Sequence, residues 1–161
     1  MTDSVMRRAR FLVIEALYES ETSDHAAVDA YDRRLRDIAS EDKELANGKA
    51  AGYGRDALTG VLELQPEIDR RISEAATQFP LGDMAIVDRN ILRLAIWELL
   101  ANASAPVGAV VNEAVELAHR YGGESSPAFV NGVLRTVSQR LRESVTDSPP
   151  REAETPATNE E

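Results

Sequence analysis

The chain has no cysteine, which excludes disulfide bridges, thiolate metal sites and cysteine nucleophiles. Its two histidines, His25 and His119, are separated by most of the sequence and fall in no metal-ligand spacing. No serine sits in a GxSxG setting. The GYG at 52–54 lacks the spacing, the Lys-Ser/Thr and the preceding strand of a phosphate loop. β-Branched and aromatic residues never alternate at period two, so the expected fold class is all-α. The most apolar stretch, DRNILRLAIWELL at 88–100, is too short and too interrupted by charge to span a bilayer. A positive charge excess is also missing: the formal net charge of −10 argues against a general nucleic-acid binder and restricts any such contact to a local patch. What remains is a non-catalytic binding module that needs neither metal nor cofactor.

The negative charge is unevenly placed. Residues 143–161 hold Glu143, Asp147, Glu152, Glu154, Glu160 and Glu161 against Arg151 alone, which leaves −5 for residues 1–142. This segment is rich in Pro, Ser and Glu and poor in apolar side chains, so it is expected to be a disordered tail behind one folded domain, 1–142. At the other end, MRRARFLVIEALY has a basic cluster before an apolar run. Glu15 interrupts that run and no small-residue cleavage site follows, so a targeting signal is rejected and a cytoplasmic location expected.

Seven helices in two three-to-four-helix halves are predicted around a buried central one. Phe11, Ile14, Leu17 and Tyr18 make the stripe of a first helix from about Asp3 to Tyr18, capped by Asp3 or Ser4. A second runs from Asp24 to about Ala39 on Val28, Tyr31, Leu35 and Ile38, with a mixed-charge outer face read as solvated; 41–46 has no clear conformation. A third covers 49–63, with Leu62 among its inward residues and Gly52 and Gly54 either weakening it or admitting a neighbour. Gln65-Pro66 breaks the chain before a fourth, to about Thr77. Phe79–Gly82 is a turn, and Asp83 is placed to cap the central helix. The sixth, 107–121, ends at Gly122-Gly123, and Ser125 or Ser126 caps the seventh, 127–141, in which Gly132 is a close-packing point. Arg7, Arg8 and Arg10 crowd the positive end of the first helix, where cations repel one another and are disfavoured by the helix field; that placement points to an anionic partner, against the plain alternative of a solvated basic turn.

DRNILRLAIWELL at 88–100, PVGAVVNEAVELAHRYG at 106–122 and FVNGVLR at 129–135, together with RRAR running into a helix that ends in ALY at 16–18, resemble the bacterial NusB family in order and spacing. The resemblance covers roughly residues 4–142 and is weak between Glu19 and Phe79. It implies an all-helical, non-enzymatic protein without cofactor. Such a protein binds the boxA element of nascent ribosomal RNA transcripts together with NusE, a small-subunit ribosomal protein, within an RNA polymerase antitermination complex. It also implies an RNA face at Arg7, Arg8 and Arg10, where guanidinium groups suit phosphates and bases. The loop before FVNGVL adds Ser125 and Phe129, with Asn131 as either an RNA contact or a structural residue. Phe129 could equally be a core anchor. Serine at 125, where the family often has Asp, keeps a hydrogen-bonding group but loses a strong acceptor, which alters base preference. Tyr18 and Asp88 match NusE-side positions, and Asn112 and Glu113 are assigned to architecture. Family members occur as monomers and as dimers, so a homodimer is compatible. The fold also serves as a domain of ribosomal RNA cytosine methyltransferases, but 161 residues leave no room for the catalytic part. The alternative to RNA binding is a helical protein–protein interaction module of the same fold with little or no RNA affinity.

Overall fold

The apolar run at the centre of the chain forms one helix, Ile86–Ala101, and the computed structural model packs other helices around it. Residues 4–102 and 104–146 are described. Among them are α1 (Val5–Thr22), α2 (Ala27–Ile38), α3 (Lys43–Asn47), α4 (Lys49–Ala75), α5 (Ile86–Ala101), α6 (Val107–Tyr121) and α7 (Ser126–Thr146), with one 3-10 turn at Leu81–Asp83 and no strand. α5 packs against α1, α4, α6 and α7, and Ile91 to Ile96 are buried without interruption. α2 and α3 complete the bundle against α1 and α4.

The number of helices agrees with the sequence pattern, but two of them differ. The break expected at Pro66 is absent: α4 runs through it for 27 residues, and 41–46 contributes the short α3 instead. A proline inside a helix normally costs about 3 kcal/mol. Here Pro66 is exposed, and one buried stripe of Ala57, Leu58, Val61, Ile68 and Ile72 keeps its register on both sides of it, so tertiary burial decides the conformation. Leu62 lies one residue round from Val61 and is 39% exposed rather than inward. Asp83 belongs to the 3-10 turn and does not cap α5; Ala85 holds that position without a side-chain bond. Ser4 does cap α1, its Oγ accepting from the Arg7 amide at 3.1 Å. α7 extends past Leu141 to Thr146, so the first residues of the expected tail are helical. The disorder expected of 147–161 lies outside the described residues.

The glycines divide by what a side chain would meet. Gly54 lies against the Tyr31 ring of α2, whose hydroxyl donates to the Ala51 carbonyl at 2.7 Å. Gly52 faces open space, and so does Gly132, which is exposed and is not the close-packing point expected of it. The mixed charges of α2 are not merely solvated either. Arg34 donates to Glu15 at 2.5 Å and to Glu19 at 3.0 Å, and Arg33 also reaches Glu19, which fastens α2 to α1.

α5 buries three charges, Asp88, Arg93 and Glu98, and two of them are matched by ion pairs. Arg93 is 5% exposed; it donates to both oxygens of Asp69 on α4 (2.8 and 3.0 Å), to Glu21 on α1 (2.7 Å) and to Asn90 (3.1 Å). Glu98 accepts from Arg10 on α1 at 2.8 and 3.3 Å.

Two stability tests follow in urea unfolding. Arg93→Met leaves Asp69 without its cation and Glu21 with Arg89 alone, and is expected to cost about 3–5 kcal/mol. Gly52→Ala should raise stability by about 0.5–1 kcal/mol through the helix-propensity gain, while Gly54→Ala, two residues on, should lower it by about 1–3 kcal/mol by forcing Tyr31 aside.

Candidate nucleic-acid interface

The three arginines at the start of α1 do not share one partner. Arg7 makes a two-pronged pair with Glu113 of α6, Nε and Nη2 donating at 2.8 and 3.0 Å. Arg8 turns to α3, donating to Asp42 at 2.6 and 3.1 Å and to Glu44 at 3.3 Å. Asp42 also accepts from the Leu45 amide at 3.1 Å, so one carboxylate caps α3 and ties it to α1. Arg10 turns to α5 and Glu98, with its guanidinium carbon 5.8 Å from the centre of the Tyr53 ring. Burial and the Glu98 carboxylate push the Tyr53 hydroxyl up to about 12. Only 24, 22 and 19% of the three arginine side chains is exposed.

This overturns one step of the sequence argument. Repulsion within Arg7–Arg10 requires no external polyanion, because carboxylates on α6, α3 and α5 already relieve it. The cluster has a structural reason: three ion pairs brace α1 against three neighbours. Glu113 therefore serves the architecture, as assigned. Asn112 does not; it is exposed and faces a groove between α6 and α7.

Two aromatic pairs flank these arginines and the α6–α7 turn. Phe11, one helical turn beyond Arg7, stacks on Tyr121 at the end of α6, with ring centres 3.9 Å apart and planes 13° from parallel. Tyr121 is 36% exposed. The turn that follows is fixed by close approach: a Cβ on Gly122 would stand 2.6 Å from Ser126 and 2.7 Å from the Ala118 carbonyl. Ser126 is buried and reaches backward, its Oγ accepting from the Gly123 amide at 2.9 Å, while Ser125 is exposed. Arg7, Phe11 and Tyr121 thus lie along one seam of α1 and α6, and Ser125 is on the turn that follows α6. Tyr121 was not singled out from the sequence.

Phe129 is half-buried against the core and packs on the exposed Phe79, centres 5.4 Å apart at 52°. The pair borders a hollow of about 380 Å³ between the end of α4 and α7. Phe79, read from sequence only as part of a turn, is therefore half of an aromatic platform; the distance in sequence between it and Phe129 hid this. Asn131 lies on the other flank of α7, where its Oδ1 accepts from Arg135 Nε at 3.1 Å.

At the opposite end of α1, Tyr18 is 43% exposed. Asp88 is not: it is 8% exposed, and among the described residues its buried Oδ1 has no hydrogen-bond partner, so the residue expected on the NusE side is nearly buried in this chain. Glu21, one turn past Tyr18, accepts from Arg89 and from Asn90 at 3.1 Å each, which brings the end of α1 to the start of α5 beside Asp88. Burial opposes ionisation of Glu21, but the bonds from Arg93, Asn90 and Arg89 outweigh it and hold the carboxyl below its usual range. No cluster of three His, Cys, Asp or Glu able to hold a metal occurs among the described residues. None of the described helices is long and apolar enough to cross a membrane.

The NusB family model matches residues 7–139. A transcription antitermination protein NusB of Chloroflexus aggregans is 39% identical over 139 residues, covering 85% of this chain and 89% of that one. One from Anaeromyxobacter dehalogenans is 40% identical over 134 residues, covering 83% and 90%. Among solved structures, T. maritima NusB superposes with a TM-score of 0.73 at 32% identity, over 86% of this chain and 93% of that one. A chain from the crystal structure of antitermination factors NusB and NusE in complex with dsRNA gives 0.71 at 25% identity, over 84% and 97%.

The ion pairs set an acid limit. Arg8 and the Leu45 amide hold Asp42 below its ordinary value, and Arg33, His25 and Arg34 bring Glu19 down to about 2. Depressed carboxyl values stabilise the fold fully above the unfolded-state values near pH 4. That contribution is lost as pH falls through the folded ones. Glu15 opposes the trend, since burial outweighs Arg34 and raises it. Melting temperatures are expected to hold to about pH 5 and fall steadily toward pH 2; a flat profile would remove these pairs from the stability account.

Proposed function

Since the chain belongs to the NusB family, we propose that it is a transcription antitermination factor that binds boxA RNA together with NusE and works within an RNA polymerase antitermination complex in the cytoplasm. The observation that carries this is the match of the whole described bundle to NusB proteins, including a chain solved with NusE and RNA. It is not an enzyme. Its chemistry is recognition, in which arginines meet phosphates and aromatic rings accept unstacked bases.

The RNA face runs along the α1–α6 seam and over the turn that follows. Arg7 supplies charge, shared with Glu113; Ser125 offers an exposed hydroxyl; Phe129 with Phe79 provides a ring for stacking; Asn131 offers an amide. Arg8 and Arg10 contribute mainly by holding α1 in place, since their guanidinium groups are spent on Asp42 and Glu98. The NusE face is the meeting of α1's end with α5's start. Tyr18 projects there as an aromatic anchor of the type that dominates interface energies. The buried Asp88 oxygen without a partner suits a donor delivered by a bound protein, because an unpaired buried acceptor gains most from being satisfied.

Because Arg7 is a strut, its removal alone would confuse folding with binding. The double variant Arg7→Gln, Glu113→Gln keeps the net charge and removes both members of the pair together. It is expected to weaken boxA binding severalfold in fluorescence anisotropy and to lower the salt slope by about one phosphate's share. Glu113→Gln alone should tighten binding at low salt. If wild type with NusE prefers boxA no more than a scrambled strand, the reading gives way to the protein-interaction module. Tyr18→Ala should weaken NusE binding about tenfold or more by calorimetry without lowering the melting temperature.

A further inference from the structure

The cations of the bundle are not all compensated. The three arginines of α1 and the two of α5 each meet carboxylates. Arg135 on α7 differs: among the described residues its guanidinium meets no carboxylate and is only steadied by the neutral amide of Asn131. It stands on the rim of an open groove of about 890 Å³ between α6 and α7. Val107, Gly108 and Val111 form an apolar floor, and Asn112 faces Gln139 across it. Arg142 adds a second cation further along, and Glu143 closes that end. A cation at the rim, neutral amides on both walls and an apolar floor are the features that hold a single nucleic-acid strand: phosphate on guanidinium, base edges on amides, sugar and base faces on aliphatic carbon.

We propose that this α6–α7 groove is a second RNA subsite, which receives the nucleotides that continue from the boxA contact. The proposal rests on the RNA-binding reading above. Its continuity comes from α7 itself. Asn131 belongs to the proposed boxA face and is bonded to Arg135 one turn on, and the helix from Asn131 to Arg142 offers about 16 Å of further track. The strand enters at the Asn131 end and leaves before Glu143.

Two labelled RNAs decide it, a minimal boxA strand and the same strand lengthened by several nucleotides, made separately at either end. Each is titrated by anisotropy against the full chain with NusE. Lengthening at one end should tighten wild-type binding about threefold or more, with a steeper salt dependence from the added phosphate contact. Arg135→Gln and Gly108→Leu should each abolish that gain, and Gly108→Leu should leave minimal-strand binding unchanged. A Cβ at Gly108 meets nothing within 4 Å, so a larger side chain can start there without a clash and narrow the groove. No gain at either end, or a gain that survives both substitutions, overturns the subsite while leaving boxA binding standing. A gain that appears only after deletion of residues 147–161 assigns the groove to the chain's own acidic segment and overturns RNA as its occupant. A wild type that binds neither strand refutes the reading beneath it as well.

Discussion

The bundle depends on matching the charges that its central helix takes out of water. α5 is covered on four sides, and an ionised group there is tolerated only when paired and hydrogen-bonded. Arg93 is satisfied jointly by α1 and α4, and Glu98 by α1. Apolar packing allows helices to slide and turn at little cost, whereas a bidentate guanidinium–carboxylate pair has one geometry. These pairs therefore fix where α1 sits on α5. The same logic continues outward, since Arg7 and Arg8 lock α1 to α6 and α3. α1 is the element through which most of the fold's electrostatic constraints pass.

That arrangement couples architecture to recognition. The residues that hold α1 are the ones from which the proposed RNA face is built, so that face is rigid and nearly neutral. A neutral face gives less nonspecific attraction to polyanions than three free arginines would. Affinity must then come from placed contacts: the shared charge of Arg7, the rings of Phe129 and Phe79, and the exposed turn at Ser125. In a chain of net charge −10, selectivity of this kind is the physically consistent route to binding RNA.

The sequence disclosed whatever has a local period. The helical class, the buried central run and the ends of α6 at Pro106 and Gly122 follow from spacing and from helix stop signals. It misjudged features decided by distant residues. Pro66 looks like a break until the stripe on both sides is seen to bury against the same neighbours. Asp88 looks like an exposed first-turn acid until the end of α1 is laid beside it. Arg7, Arg8 and Arg10 look frustrated because their carboxylates are 106, 34 and 88 residues away. Gly52 and Gly54 are indistinguishable in sequence, and only the position of Tyr31 separates them.

The cations that remain after pairing also carry information. An arginine that among the described residues is held only by an amide is one whose charge these folding contacts do not claim. α7 carries such a residue on the rim of a groove rather than on a featureless outer face. Solubility alone would be served by a charge anywhere on the surface, and by acids better than bases in a chain already this negative. A base that meets no carboxylate among the described residues, beside amides and an aliphatic floor, suits a ligand that carries the opposite charge. The continuity of α7 with the proposed boxA contacts makes that ligand the rest of the same strand.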